Sequence, residues 1–371
     1  MKSARQSSMT SLLVLGAGLI GRPLCLLVGL LRGLHRVLVV DRDSYTKAQA
    51  WHPADAGRPK AEVAAEMMQA ANQRLHVESI VAGIEDLPLG IYRRYGLMLT
   101  ALDSQTARMT ANFAFEKAGI RYWIDSGVSA PSLVRISTFA QGADAPCYEC
   151  GLSDSDYAAE ARYPCQPAFT APGTNSPQYL GTLAASMQAA ISALLLSGKF
   201  DPAILNREVV YDVAAQKLFV TRLVRRKTCR LDHGAFGIRP LHRAPARIPL
   251  AEAFMLGPGG SRRAARAAAS LEVPDKLFVR VLACECGAQR QVLRLKGRIG
   301  LRAQTCARCG GRMFPPGAGL TNSLRLDSLT ARELARPLSA LGLEPADVIA
   351  ISDNRRTNYY ELGFPRRESH D

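Results

Sequence analysis

The N-terminal part of the chain alternates between apolar runs and a glycine-rich turn. An apolar run from Leu12 to Leu15 has the length of a buried strand, and a second run extends from Val37 to Val40. Between them lie Gly16, Gly18 and Gly21, followed by an apolar stretch of helical length. A strand, a helix and a second strand in this order predict a βαβ unit that opens a parallel sheet.

The same alternation continues to residue 225. Helices are predicted from Pro59 to Leu75 and from Ser104 to Gly119, and the segments HVESIVAG, YGLMLTAL and RYWIDSGV are predicted to be strands. A long apolar, Ala-rich helix over 178–198 follows, and REVVYDVAAQKLFVTRLV has the period-two pattern of a hairpin. These repeated units predict a doubly wound, Rossmann-like α/β domain over residues 1–225.

The rest of the chain has a different pattern. Residues 226–275 are basic and rich in Pro, Gly and Ala, which predicts a connector with one helix in it. The segments KLFVRVLACECG and TCARCGGRMF mark a small cysteine module over residues 276–322. Residues 323–371 are predicted to form a small C-terminal α/β segment with a helix and two strands.

Composition places the chain among ordinary globular proteins. Its 371 residues are 47% hydrophobic and 21% charged. We expect no apolar run to reach transmembrane length, and the short polar N-terminus is unlike a secretory signal, so we expect a cytoplasmic protein without membrane contact. The net charge of +15 fits nucleic acid or an acidic protein partner. Because the basic clusters lack interleaved aromatic residues for base stacking, nucleic acid is not expected to be the principal partner.

The glycines of the first turn have the spacing G-x-G-x-x-G. Such a turn brings the backbone and the positive N-terminus of the helix close to a phosphate group. Asp41 ends the second strand, where a carboxylate can bind both ribose hydroxyls. The motif therefore predicts a nucleotide-binding domain, but it does not separate NAD from ATP.

Two later residues favour ATP. Lys60 in GRPKAEV begins a helix from which an ammonium group can reach a phosphate, and Asp103 in LTALDSQTARMTAN ends a strand. A carboxylate at that position can hold Mg²⁺ against a triphosphate. The alternative is a solvated Lys60 and an Asp103 that only caps the N-terminus of a helix.

Several motifs occur together in one order: VLGAGLIG, VVDRDSYT, GRPKAE, TALDSQTAR, IDSGV and PCYECGL, before the Ala-rich helix. In this respect the chain resembles the ubiquitin-activating superfamily, which includes the adenylating enzymes that act on sulfur-carrier proteins. The resemblance covers residues 11–195. It implies ATP-dependent adenylation of the C-terminal glycine of a ubiquitin-like protein, with release of pyrophosphate, and a homodimer to which the helix over 178–198 contributes.

The resemblance also implies roles for single residues. The glycine loop would pack against the nucleotide, a carboxylate would bind its ribose, a lysine its phosphates and a second carboxylate the Mg²⁺. This cofactor-binding set consists of Gly16, Gly18, Gly21, Asp41, Asp43, Lys60 and Asp103. Arg108 and Asn112 match helix positions that are expected to be structural.

One departure from the family pattern concerns a phosphate-binding arginine. The family has Asn-Leu-x-Arg-Gln after the second strand, whereas this chain has SYTKAQAWHPADAGRPK. Gln49, His52 and Arg58 are candidate substitutes, and so is Arg5 if it reaches across a dimer. The sequence does not choose among them.

Four cysteines in the C-terminal part have the spacing of a zinc ribbon. Cys284 and Cys286 form C-x-C-G, and Cys306 and Cys309 form C-x-x-C-G. Four thiolates satisfy tetrahedral Zn²⁺, and two such turns joined by a hairpin predict structural zinc.

Cys147 and Cys150 form a further C-x-x-C pair that is predicted to bind metal. Cys229 and His233 in CRLDH are available to complete this site. The alternative is one zinc shared between Cys147, Cys150 and the pair at 306 and 309. The sequence leaves both partitions open.

Cys165 has no partner cysteine nearby. It lies in a loop rich in Pro, Thr and Ser, with Arg162 close enough in sequence to favour a thiolate. Ubiquitin-activating enzymes carry their thioester cysteine in a comparable loop, so the resemblance implies a nucleophile here, with Lys60 and Asp103 as the other catalytic residues. A surplus or buried thiol is the alternative, and Cys25 on its apolar helix is expected to be inert.

The sequence thus predicts an adenylating enzyme for a ubiquitin-like protein, with ATP, Mg²⁺ and Zn²⁺ as cofactors and a conjugating enzyme as a further candidate partner. A sulfur-carrier adenylyltransferase without a thioester step is the nearest alternative. A zinc-ribbon nucleic-acid-binding protein with a degenerate nucleotide fold belongs to a different class. An NAD-dependent oxidoreductase fits the glycines but not the cysteines.

Overall fold

The structure, a computed structural model, describes residues 10–129, 131–161, 176–258, 269–353 and 356–364. The chain divides into two compact units. The first, called the sheet domain below, comprises Met1–Leu87 and Tyr92–Ala235, and the second, called the C-terminal unit, comprises Pro88–Ile91 and Phe236–Asp371. This division lies inside the predicted connector 226–275, and the finer predicted boundaries at 225, 275 and 322 stay predictions.

An eight-stranded sheet forms the centre of the sheet domain, with the order β3-β2-β1-β4-β5-β6-β7-β8. The first five strands in this order are parallel and the last three are antiparallel additions. The central strands are almost continuously apolar because helices cover both faces of a parallel sheet. The strands are β1 Ser11–Leu15, β2 Arg36–Val40, β3 His76–Ile80, β4 Leu97–Thr100, β5 Tyr122–Ser129, β6 Leu133–Ala140, β7 Arg207–Asp212 and β8 Lys217–Arg222.

In the described residues five helices accompany this sheet, and the one-turn helix α3 belongs mainly to the other unit. Helix α1 starts directly at the third glycine of the loop, and α4 has Ser104 as N-cap and Gly119 in the left-handed conformation as C-cap. The predicted helix from Pro59 to Leu75 is shorter in the structure and ends at Ala71. The helices are α1 Gly21–Gly29, α2 Lys60–Ala71, α3 Leu89–Tyr92, α4 Gln105–Ala118, α5 Asp154–Ala161 and α6 Gln178–Ser197.

Helix α6 packs into the core through its small residues. Gly181 lies so close to the glycine-rich turn before α1 that a Cβ atom there would be 2.7 Å from the carbonyl oxygen of Leu19. By length and composition α6 could cross a membrane, which corrects the expectation that no segment reaches that length. A core helix meets the same criterion, and the Ala-rich face of α6 belongs to the core cluster formed with β1, β4 and β5.

The C-terminal unit contains two small sheets. Strands of the predicted connector and of the predicted tail pair in one five-stranded sheet with the order β14-β10-β15-β16-β9. A three-stranded sheet, β12-β11-β13, belongs to the cysteine module. The strands are β9 Ile238–Pro240, β10 Ser270–Glu272, β11 Phe278–Ala283, β12 Gln289–Leu295, β13 Leu320–Thr321, β14 Ser323–Arg325, β15 Val348–Ser352 and β16 Thr357–Glu361, with helices α7 Leu250–Phe254 and α8 Ala331–Leu334.

Candidate functional site

The glycine loop between β1 and α1 is packed tightly on one side and open on the other. Gly16 has φ +93°, and a Cβ atom there would be 2.5 Å from the carbonyl oxygen of Ala101. A Cβ atom on Gly21 would be 2.0 Å from the carbonyl oxygen of Gly16. Gly18, in contrast, has no atom within 4 Å of its Cβ position. Two of the glycines are therefore required by packing within the fold, and the third leaves free space for a ligand over the loop.

Asp41 joins the end of β2 to this loop. One carboxylate oxygen accepts a hydrogen bond from the Ala17 N–H at 2.7 Å, and the other accepts one from the Asp43 N–H at 2.8 Å. Burial raises the pKa of Asp41, and the two backbone hydrogen bonds oppose that rise. The carboxylate is thus held in a fixed orientation at the carboxyl edge of the sheet, where open α/β sheets bind their ligands.

Lys60 lies in the same region. Its side chain is largely buried, and its Nζ atom lies 3.2 Å from the Asp43 carboxylate. The Nζ atom is also 6.0 Å from the centre of the Tyr45 ring, whose hydroxyl donates a hydrogen bond to the Ala17 carbonyl at 2.6 Å. The predicted phosphate-binding lysine and the glycine loop are therefore linked through one tyrosine.

Asp103 follows β4 and is exposed. The alternative that it only caps helix α4 does not hold, because the N-cap is Ser104, whose Oγ accepts a hydrogen bond from the Ala107 N–H at 3.2 Å. In the part of the chain that the structure describes, the Asp103 carboxylate makes no hydrogen bond or ion pair. It is free to bind a cation, and a single carboxylate together with phosphate oxygens is the set that Mg²⁺ prefers.

Behind Asp103 lies a buried charge cluster that the sequence did not predict. Asp125 on β5 is 0% exposed and contacts Arg108 Nε at 2.9 Å and Arg135 Nη2 at 3.0 Å. The Thr100 hydroxyl donates to the same carboxylate, and Arg108 Nη2 also donates to the Leu102 carbonyl at 2.6 Å. Because Leu102 precedes Asp103, this cluster fixes the backbone that carries the candidate Mg²⁺ ligand.

The candidates for the missing arginine are engaged elsewhere or lie outside the described residues. The side chain of Gln49 accepts a hydrogen bond from the Thr46 N–H at 3.3 Å, and His52 Nδ1 accepts one from the Ala54 N–H at 3.2 Å. Arg58 is paired with Glu66 at the surface. Arg5 belongs to the N-terminal residues that the structure does not describe.

The first cysteine pair has its partners within the sheet domain. Cys147 Sγ lies 3.9 Å from Cys150 Sγ and 3.7 Å from Cys229 Sγ, and Cys150 Sγ lies 3.4 Å from His233 Nε2. These four ligand atoms all lie within 4.8 Å of one another. Tetrahedral zinc with Zn–S bonds of about 2.3 Å separates its sulfur ligands by about 3.8 Å, so the arrangement fits Zn²⁺. We call this set the CCCH cluster.

Hydrogen bonds around the CCCH cluster also suit metal ligands. The Arg226 N–H donates to Cys150 Sγ at 3.4 Å, and Asn112 Nδ2 donates to Cys147 Sγ at 3.5 Å. His233 Nδ1 lies 4.0 Å from a Glu116 carboxylate oxygen. Carboxylates commonly orient a metal-bound histidine in this way, through the ring nitrogen that does not bind the metal. Asn112 thus has a structural position, in agreement with its predicted role.

The second group of cysteines lies in turns next to the three-stranded sheet of the C-terminal unit. Cys284 Sγ lies 3.4 Å from Cys309 Sγ, and Cys286 Sγ lies 3.7 Å from Cys306 Sγ. Backbone N–H groups of Cys309 and Arg308 lower the pKa of Cys306 to about 6, which favours a metal-binding thiolate. Since each group brings together four ligand atoms, the alternative of one zinc shared between the two C-x-x-C pairs does not describe the structure.

The two remaining cysteines differ. Cys25 is buried on α1, and burial raises the pKa of its thiol to about 12, as expected for an inert core residue. Cys165 and Arg162 lie outside the described residues, so the predicted nucleophile has no structural account.

Comparison with known proteins identifies the fold of the sheet domain. The sequence profile of the ThiF family matches residues 2–231. Similar solved structures include E. coli MccB with ATP, at 18% identity and a TM-score of 0.47 over 62% of this chain and 68% of that chain. They also include MccB in complex with N-formylated MccA, at 17% identity and a TM-score of 0.47 over 62% of this chain and 69% of that chain. A third is PaaA, at 15% identity and a TM-score of 0.46 over 60% of this chain and 76% of that chain. None of the curated protein sequences compared with the chain matches it.

The family assignment depends on the profile match, which covers more than half of the chain. It agrees with the βαβ start, the glycine loop and the parallel centre of the sheet described above. It also confirms the resemblance stated from the sequence motifs. The chain belongs to the ThiF family of adenylating enzymes, within the E1-like superfamily that uses ATP.

Proposed function

We propose that this enzyme adenylates the C-terminal glycine carboxylate of a ubiquitin-like or sulfur-carrier protein. The observation that carries the proposal is the grouping of the glycine loop, Asp41, Lys60 and the unpaired Asp103 at one edge of the sheet. This set can bind the ribose and the phosphates of ATP and leaves one carboxylate for a cation. It lacks a serine, histidine or cysteine nucleophile, which adenylation does not require.

In the proposed reaction a carboxylate oxygen of the partner attacks the α-phosphorus of ATP. A new O–P bond forms, the bond to the bridging oxygen of the β-phosphate breaks, and pyrophosphate leaves with that electron pair. Asp41 holds the ribose, the open loop at Gly18 accepts the nucleotide, and Lys60 reduces the repulsion between the attacking carboxylate and the phosphates. Bound Mg²⁺, held by Asp103, would supply further neutralisation of the triphosphate.

The paired state of Lys60 defines part of its role. Its contact with the half-exposed Asp43 keeps the ammonium group in place in the absence of a nucleotide. A polyphosphate carries more negative charge than one carboxylate, so it can compete for the ammonium group without any large movement of the chain. Asp43 thus pairs with Lys60 before a nucleotide binds, and it also belongs to the predicted cofactor-binding set.

We further propose that Cys165 accepts the activated acyl group. Its thiolate would attack the acyl carbon of the adenylate, a C–S bond would form, and AMP would leave with the electrons of the C–O bond. The family resemblance and the nearby Arg162 support this step. In the sulfur-carrier alternative, the adenylate is the end product of this chain and Cys165 is not acylated.

The proposed adenylation is tested by ATP/pyrophosphate exchange with candidate partner proteins. Exchange should require the partner and its C-terminal glycine, and Asp103→Asn should lower it at least tenfold while the protein stays folded. Glu78→Gln, which alters a half-exposed ion pair between the middle of β3 and Arg36 at the start of β2, is the matched control and should keep full exchange. Absence of exchange with every candidate partner, together with tight salt-sensitive binding to DNA or RNA, would favour the nucleic-acid-binding alternative.

The thioester step needs a separate measurement. Cys165→Ala should keep pyrophosphate exchange and lose an adduct with the partner protein that is sensitive to added thiol on a non-reducing gel. An unchanged adduct in this variant rules out Cys165 as the acceptor. Exchange without any adduct in the wild type supports the sulfur-carrier alternative.

A further inference from the structure

All unpaired buried polar side-chain atoms in the described ranges are nitrogen donors. They are Nε and Nη1 of Arg22 and Nε2 of Gln105. Buried polar groups are paired in the great majority of cases, because an unpaired donor loses its hydration without compensation. Arg22 directly follows the last glycine of the loop, and Gln105 begins α4 two residues after Asp103. All three atoms therefore lie on elements that border the candidate nucleotide site, and each requires an acceptor.

The guanidinium group of Arg22 is only partly satisfied by its surroundings. The residue is 4% exposed, and its guanidinium carbon lies 4.7 Å from the centre of the Tyr45 ring and 4.4 Å from the centre of the Trp51 ring. Its Nη2 atom is paired with the Asp55 carboxylate. Aromatic rings stabilise a cation but offer no lone pair in the plane of the guanidinium. Nε and Nη1 are left as two separate donors, which lie on either side of the Nη2 atom and its Asp55 partner or of the Cδ atom and do not share one edge of the plane.

Contacts of Tyr45 show that Arg22 lies close to Lys60 and to the glycine loop, the other proposed nucleotide contacts. The Tyr45 ring is near both Arg22 and Lys60, and its hydroxyl donates to the Ala17 carbonyl in the glycine loop. Two buried or largely buried cations thus lie next to one loop, with only one carboxylate paired to each. The local excess of unused donors indicates an anionic ligand with several acceptor oxygens.

We propose that Arg22 is a second phosphate-binding cation, which donates from Nε and Nη1 to the polyphosphate chain of the nucleotide, with Gln105 Nε2 as a further donor to the same ligand. The inference rests on the proposed nucleotide site. Arginine suits this position because its guanidinium group has enough N–H donors to keep the Asp55 contact and also donate to phosphate oxygens, whereas lysine provides a single point of charge. Arg22 then supplies the neutralisation for which this chain lacks the family's arginine after the second strand.

The test compares binding of ATP and of adenosine by calorimetry, without any protein partner. Arg22→Met should weaken ATP binding at least tenfold and adenosine binding less than twofold, because adenosine has the ribose and base but no phosphate. Gln105→Met should show the same selectivity with a smaller loss. Arg58→Met is the matched control, since Arg58 lies on the connection between β2 and α2 and is paired with Glu66 at the surface, and it should leave both affinities unchanged.

Removing Arg22 also leaves Asp55 without its partner, so Arg22→Lys is the second variant. It keeps a positive charge beside Asp55 but loses the Nε and Nη1 donors, and it should weaken ATP binding at least threefold with adenosine binding unchanged. Equal ATP affinity in the wild type and Arg22→Met overturns the proposal, and so does an equal loss for ATP and adenosine. If Arg58→Met alone lowers ATP affinity, Arg58 is the phosphate ligand and the proposal is wrong. Since no partner protein is present, failure of the adenylation proposal leaves this result unaffected.

Discussion

Replacement of Asp125 by asparagine is the sharpest perturbation of the buried charge cluster. The substitution keeps the shape of the side chain but removes the negative charge that Arg108 and Arg135 share. An asparagine can still accept hydrogen bonds through one oxygen, whereas its NH₂ group faces donors. The variant therefore tests charge compensation with little change in packed volume.

The size of the effect follows from burial. Asp125 is fully buried, and the Arg108 side chain is 12% exposed, so water cannot replace the lost carboxylate oxygen at the arginine. Removal of one partner from a buried ion pair costs about 3–5 kcal/mol, and a hydrogen bond to a charged group contributes about 1.5–3 kcal/mol. Because the remaining oxygen keeps part of the network, we expect the lower end, about 3 kcal/mol.

Trp123 provides a local signal for this measurement. Its ring is fully buried, and its Nε1 donates a hydrogen bond at 2.9 Å to the Thr100 hydroxyl, which itself contacts Asp125. Urea unfolding followed by tryptophan fluorescence should show a lower midpoint for Asp125→Asn with an unchanged slope. Glu78→Gln is the matched control, because Glu78 receives two hydrogen bonds from one arginine at a half-exposed site and should lose roughly 0.5 kcal/mol or less.

A loss below about 1 kcal/mol for Asp125→Asn, similar to that of Glu78→Gln, would refute the reasoning from burial. It would mean that solvent reaches the two arginines in the folded protein. A larger loss accompanied by normal nucleotide binding would instead show that the cluster stabilises the domain without positioning Asp103.

Three further predictions concern the loop, the metals and the ribose contact. Gly21→Ala should abolish nucleotide binding measured by calorimetry, because its Cβ would be 2.0 Å from the Gly16 carbonyl oxygen and must displace the loop; normal affinity would contradict the packing argument. Purified protein should contain two zinc ions per chain by elemental analysis, and Cys229→Ser and Cys306→Ser should each lose one; loss of both ions from either variant would indicate a shared site. Adenosine affinity should rise with pH through the raised pKa of Asp41, because ribose binds the ionised carboxylate, and Asp41→Asn should remove this dependence; an equal dependence in both proteins would exclude Asp41 as its source.

The sheet domain was predictable because its signals are local. Short apolar runs, the glycine turn and the period-two hairpin each depend on neighbouring residues, and a parallel sheet leaves few ways to connect them. The end of α2 at Ala71 was missed because the apolar pattern continues past the last helical turn. In the C-terminal unit, strands far apart in sequence pair in one sheet, such as β9 and β16, where Ile238 lies beside Tyr359, and short strands of two or three residues carry no periodic signal.

The candidate site was predictable only where a motif carried it. The loop glycines, Asp41, Lys60 and Asp103 occur at recognisable positions. Arg22 could not be found in this way, because an arginine in the first turn of a helix is ordinary until its burial and its unpaired nitrogens are known. The three side chains around Asp125 come from separate strands and a helix, so only the register of β4, β5 and β6 brings them together.

The CCCH cluster joins two parts of the chain that are far apart in sequence. Cys150 and Cys229 enclose a long loop that contains α6, β7, β8 and Cys165. A metal bound there acts as a reversible cross-link, and closing so long a loop in the unfolded chain restricts its conformations much as a disulfide does. Proteolytic cleavage inside the loop would leave two fragments that both bind the metal. The link between them at the CCCH cluster would be lost only after the metal is removed. One bound ion would thus hold both ends of the stretch of chain between Cys150 and Cys229.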